Sequence, residues 1–80
     1  MNYFYLSCPP SYQKNMWSVE KEITKLFKIN YGNTGGSLYN YFDIEYKVKT
    51  KEKYNKIKKY INQNHPKIKV IWTGKESSWD

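Results

Sequence analysis

The chain has 80 residues, a formal net charge of +7 and a single cysteine. That length allows one modest hydrophobic core and leaves no room for a second domain. No run of about 18 apolar residues occurs, which excludes a membrane-spanning helix. A lone Cys8 argues against a disulfide-stapled secreted scaffold. Met1-Asn2-Tyr3 lacks the basic, then apolar, start of a secretion signal, so a soluble cytoplasmic protein with no membrane partner is expected.

In chain order, "NYFYLSC" (2–8) reads as a strand stopped by Pro9-Pro10, with Phe4, Leu6 and Cys8 on one face and Tyr3, Tyr5 and Ser7 on the other. "SYQKNMWSVEKEITKLFK" (11–28) spaces Tyr12, Met16, Val19, Ile23 and Leu26 three or four residues apart, with Phe27 beside the last. This predicts an amphipathic helix capped by Ser11, with Trp17 at the edge of its stripe. "KINY" (28–31) offers a short second strand ahead of the glycine-rich "GNTGGS" (32–37), which reads as a hairpin connection.

From Leu38 to Lys49 the alternation is strict. Leu38, Phe42, Ile44, Tyr46 and Val48 form a core row; Tyr39, Tyr41, Asp43, Glu45, Lys47 and Lys49 form an outward row. Thr50 caps a second helix over 51–64, whose thin stripe is Tyr54, Ile57 and Ile61 with Tyr60 at its margin. His65-Pro66 ends it, and "KIKVIWT" (67–73) supplies the last strand, with Ile68, Val70 and Trp72 on one face. Residues 1–74 therefore form one domain and 75–80 a tail. The order β-α-β-β-α-β predicts an α+β, ferredoxin-like fold: an antiparallel sheet with two helices on one face.

The positive charge is local. Nine lysines and one acid, Glu52, lie between Lys47 and Lys69, while the remaining residues carry five lysines against six acids. Such a block fits a polyanion-binding surface, with Lys47, Lys49, Lys51, Lys53, Lys56, Lys58 and Lys59 as its candidates. All fourteen basic residues are lysine. Without arginine's planar fork, contact with nucleic acid would be to backbone phosphate rather than to base edges. A genome rich in A and T would enrich lysine in the same way.

Catalytic motifs are absent. The glycine stretch lacks the lysine-hydroxyl pair and following helix of a phosphate loop, and it lacks the dinucleotide-binding spacing. Cys8 and His65 are the only nucleophile–base pair, and Cys8 faces the core. One cysteine and one histidine cannot build a zinc site. Asp43 and Glu45, two apart on one strand, read as surface charge. No enzyme activity, cofactor or metal is expected.

The tyrosines are the positive signal. In a ferredoxin-like sheet the first and third strands are central neighbours, which would bring Tyr3 and Tyr5 together with Tyr39 and Tyr41 on the face without helices. The arrangement resembles the stacking face of RNA-recognition motifs. "SLYNYFDI" (37–44) has aromatics at the third and fifth places of that family's eight-residue signature, without its leading basic residue or its glycine. Three readings follow: a single-stranded RNA or DNA site, a protein or self-association interface, or ordinary strand tyrosines. The expectation is a small non-enzymatic binding or inhibitory protein acting on nucleic-acid-handling machinery by protein contact, fitting a phage or mobile-element accessory protein. Direct single-stranded nucleic-acid binding is the alternative.

Overall fold

The alternation of the first strand, the two amphipathic stripes and the threonine cap all take form in a computed structural model, which describes residues 2–36 and 41–75. The elements are β1 (Asn2–Cys8), α1 (Gln13–Phe27), β2 (Tyr31–Gly36), β3 (Phe42–Val48), α2 (Lys51–Asn64) and β4 (Lys69–Gly74). The class is α+β. Among the described residues, four strands form one sheet in the order β2-β3-β1-β4, and every neighbouring pair is antiparallel.

Phe4, Leu6 and Cys8 of β1 and Ile44, Tyr46 and Val48 of β3 are buried on the same side as Met16, Val19 and Ile23 of α1 and Tyr54, Ile57 and Ile61 of α2. Both helices thus cover one face. Phe4 stacks on Tyr46 with ring centres 5.2 Å apart and 14° between planes. The Tyr46 hydroxyl is buried without a hydrogen-bond partner, and burial pushes its acidity well below that of a free phenol.

Four local expectations need correction. Ser11 does not cap α1. It lies in a 3-10 turn, Pro10–Tyr12, closed by the Tyr12 N–H donating to the Pro9 carbonyl at 2.9 Å, and α1 starts after it without a side-chain cap. The two prolines fix φ for a tight turn just where the helix was expected to begin. Leu26 is 57 % exposed. The inward stripe continues from Ile23 to Phe27, four residues on, and Phe27 packs edge-on against Tyr60 at 5.9 Å.

Third, β2 is not residues 28–31. Lys28 ends α1 in the left-handed conformation (φ 55°), Ile29 is buried, and the glycine-rich residues 31–36 themselves pair with β3. As the edge strand of the described sheet, paired there with β3 alone, β2 tolerates glycines that a central strand would not. Fourth, the last strand is not residues 67–73: β4 starts at Lys69 and ends on Gly74. Gly74 pairs with Tyr3 at φ 75°, a conformation that favours glycine.

The second half follows the sequence closely. Thr50 accepts a hydrogen bond from the Lys53 N–H at 3.2 Å, and the His65 N–H closes α2 on the Ile61 carbonyl at 2.7 Å. No helix among the described residues is long and apolar enough to cross a membrane.

Candidate functional site

Antiparallel pairing decides where the tyrosines go. Tyr3 lies opposite Lys47 and Tyr5 opposite Glu45, whereas Tyr41 precedes Phe42, the partner of Cys8 at the far end of β1. At about 3.3 Å per residue, Tyr41 is displaced along the strands by about 13 Å from Tyr5 and about 20 Å from Tyr3. The starts of two antiparallel strands are at opposite ends, so the expected cluster of Tyr3, Tyr5 and Tyr41 does not form. Tyr39 lies outside the described residues.

Each end of this outer face instead has its own tyrosine–lysine contact. The Lys47 ammonium is 5.7 Å from the Tyr3 ring centre, and that of Lys69 is 5.9 Å from Tyr41. Between them the face is largely closed to solvent: Tyr3 and Tyr5 are half-buried and Glu45 is 1 % exposed. Glu45 is therefore not surface charge, because it sits on a strand paired on both sides, opposite Tyr5 and Asn33. Beside it, Asp43 has one carboxylate oxygen buried without a hydrogen-bond partner. Buried carboxylates are poor neighbours for a phosphate backbone.

The lysines converge elsewhere. Chain direction brings the end of α1, the end of β3 and the start of α2 to one end of the fold. There Lys28, Lys47, Lys49 and Lys53 surround a concavity of ≈ 440 Å³, with Ile29 and Val48 beneath and exposed Asn30 beside them. Among the described residues no carboxylate lines it and none of the four lysines forms an ion pair. Three features position them. The Lys28 N–H holds the Thr24 carbonyl at 2.9 Å, the Asn2 side chain donates to the Lys49 carbonyl at 3.2 Å, and Lys53 stands in the capped first turn of α2.

A second cleft of ≈ 320 Å³ adjoins through Lys53 and is lined by Leu26, Phe27, Thr50, Glu52 and Lys56. Lys51 turns toward Trp72, its ammonium 5.5 Å from the ring centre. Lys58 and Lys59 are exposed further along α2, up to about 9 Å beyond Lys53 by helix rise. The lysine surface and the tyrosine face are thus not one continuous site. Lys47 alone touches both.

No match to a family model, a curated protein or a solved structure is found for this chain.

The remaining polar cluster lies between the helices. Glu22 accepts hydrogen bonds from the Tyr60 hydroxyl and from His65 Nε2, the latter at 3.2 Å. The Tyr60 bond, helped by His65, holds the Glu22 carboxyl below the usual carboxylate range, and it raises the phenol of Tyr60 in turn. Cys8 is buried, and burial followed by the nearby Asp43 pushes its thiol up, opposite to what a nucleophile needs. Among the described residues no group of three or more metal-ligating side chains gathers.

Sequence reading missed Lys28 and Asn30, which lie well before the basic block. The signal that would have found them is topological: in β-α-β-β-α-β order, the first helix ends where the second begins.

Proposed function

We propose that this protein is a non-catalytic, ferredoxin-like binding domain that holds nucleic acid by its phosphate backbone at the basic end of the fold. One observation carries the reading: four lysines from three separate segments meet around a single concavity that, among the described residues, no carboxylate lines. Like charges so gathered repel one another, and a polyanion relieves the repulsion while releasing its own counterions. Lys56, Lys58 and Lys59 on the exposed side of α2 extend the surface. With lysine as the only basic residue, the binding is salt-sensitive and indifferent to base sequence. The strand order β2-β3-β1-β4 with both helices on one side supports the ferredoxin-like reading.

A second reading, contact with nucleic-acid-handling proteins through the outer sheet face, draws on Tyr41. This side chain is 39 % exposed at a margin that mixes Asp43 and Lys69. Mixed charge around an exposed tyrosine suits a protein partner, or a second copy, better than a phosphate backbone.

The deciding experiment is fluorescence anisotropy with a labelled single-stranded oligonucleotide and its duplex. Binding of either at low salt, weakening steeply as salt rises, is the expected outcome. Absence of binding to both at low salt would end the backbone reading. A salt-tolerant complex with a nucleic-acid enzyme on a sizing column, abolished by Tyr41→Ala, would favour the second.

A further inference from the structure

The lysine concavity differs from the stripe that a continuous strand would need. Lys28 comes from the end of α1, Lys47 and Lys49 from the end of β3, and Lys53 from the first turn of α2, so the four residues border one place instead of following a track. The Lys47 ammonium is also 5.7 Å from the Tyr3 ring centre. A volume of ≈ 440 Å³ lies in the range of small-ligand sites, roughly 300–1,000 Å³. A phosphodiester brings one negative charge to such a place, whereas a terminal phosphate brings about −1.5 to −2 at pH 7. A chain of terminal phosphates concentrates still more charge within the same span. Four ammonium groups without ion-pair partners among the described residues match that concentration better than they match a single diester. Lysine ammonium groups act as point charges with rotatable donors, which suits a flexible run of phosphates more than a fixed planar one.

We propose that the concavity of Lys28, Lys47, Lys49 and Lys53 takes a terminal polyphosphate, the group shared by the 5′ end of a triphosphorylated strand and by a free nucleoside triphosphate. The proposal rests on the phosphate-binding reading above and narrows it from backbone to end. Ile29 and Val48 give the pocket an apolar base, and Asn30 adds an uncharged donor and acceptor beside the phosphates.

The test compares one short single-stranded RNA carrying a 5′-triphosphate, a 5′-monophosphate or a 5′-hydroxyl, with a nucleoside triphosphate and inorganic triphosphate as separate ligands. The triphosphate end should bind roughly tenfold more tightly than the hydroxyl end, the combined effect of a few exposed ion pairs. Inorganic triphosphate should compete for it. In Lys28→Gln and in Lys49→Gln, both changes at exposed positions, the preference should shrink toward unity while the three oligonucleotides converge in affinity.

Equal affinity for all three ends overturns the proposal and leaves backbone binding standing, as does a preference that survives both substitutions. If only the nucleoside triphosphate binds, the pocket is assigned to free nucleotide and nucleic-acid binding falls. If none of the ligands binds, both readings fall.

Discussion

The outer face of the sheet and the basic end of the fold differ in how they use their polar residues. On the sheet face, Glu45 and Ser7 are almost fully buried, Tyr3 and Tyr5 are half-buried, and Lys47 and Lys69 lie over aromatic rings. At the basic end, exposed Lys28 and Lys49 and half-buried Lys53 border one concavity, with no carboxylate among its described lining residues. The face that looks richer in binding residues is largely covered within the protein, Tyr41 excepted. The basic end, where Lys28 joins three lysines of the block that the sequence singled out, has charge left over among the described residues, and uncompensated charge is what a ligand can exploit.

Substitutions can break this contrast, and the largest effect belongs to the basic end. Replacing Lys28, Lys49 and Lys53 together by glutamine should weaken single-strand binding roughly a hundredfold at low salt, because each phosphate contact also forfeits counterion release. Thermal unfolding followed by circular dichroism should meanwhile shift little, since surface changes away from packing stay within about 0.5 kcal/mol each.

Next comes Lys28→Gly. Lys28 occupies a left-handed backbone conformation that costs a side-chain-bearing residue about 1 kcal/mol and glycine little. The variant should therefore be more stable by up to about 1 kcal/mol in urea titration, yet bind nucleic acid more weakly. Stability and binding moving in opposite directions would mark a residue kept for its charge. Parallel movement would assign Lys28 a structural role.

A smaller effect separates the interhelical cluster from both regions. Because the Glu22 carboxyl is held low in the folded state, it contributes stability above its unfolded pKa, near 4.3, and that contribution is lost as pH falls through the folded value. Tyr60→Phe removes the main cause and should flatten the acid limb of the stability curve. The change should be less than about 1 kcal/mol, since the Glu22 side chain is 41 % exposed and solvent screens it. The smallest effect is expected from Tyr3→Ala combined with Tyr41→Ala. With the two rings displaced by about 20 Å along the strands, nucleic-acid affinity should change by less than about threefold. A larger loss would restore the sheet face as a stacking surface.

Much of the frame was legible because it rests on local chemistry. Alternation sorted Phe4, Leu6 and Cys8 from Tyr3 and Tyr5, Thr50 announced α2, and His65-Pro66 ended it. β2 was not legible, since "YGNTGG" contains the residues most depleted in strands and owes its conformation to pairing with β3. Nor was the burial of Glu45, because alternation tells which face a residue takes and not how covered that face is. The tyrosine cluster failed for a different reason. Neighbouring strands that run antiparallel have their starts at opposite ends, so the expected antiparallel order of β1 and β3 already separated Tyr3 and Tyr5 from Tyr41. The lysine pocket needed tertiary structure as well, since Lys28 joins Lys47 and Lys49 across a β-strand and its connections.

The central claim is that phosphate binding at the basic end, and not tyrosine stacking, is what this surface is built for. Its most direct test is the salt dependence of affinity for one single-stranded oligonucleotide, measured in parallel for the wild-type protein and for the Lys28→Gln, Lys49→Gln, Lys53→Gln variant. If the three lysines each neutralise a phosphate, the slope of log affinity against log salt should become shallower by about 2, at about 0.7 per contact on a single strand. An unchanged slope would mean that these lysines do not meet phosphate, and would contradict the claim.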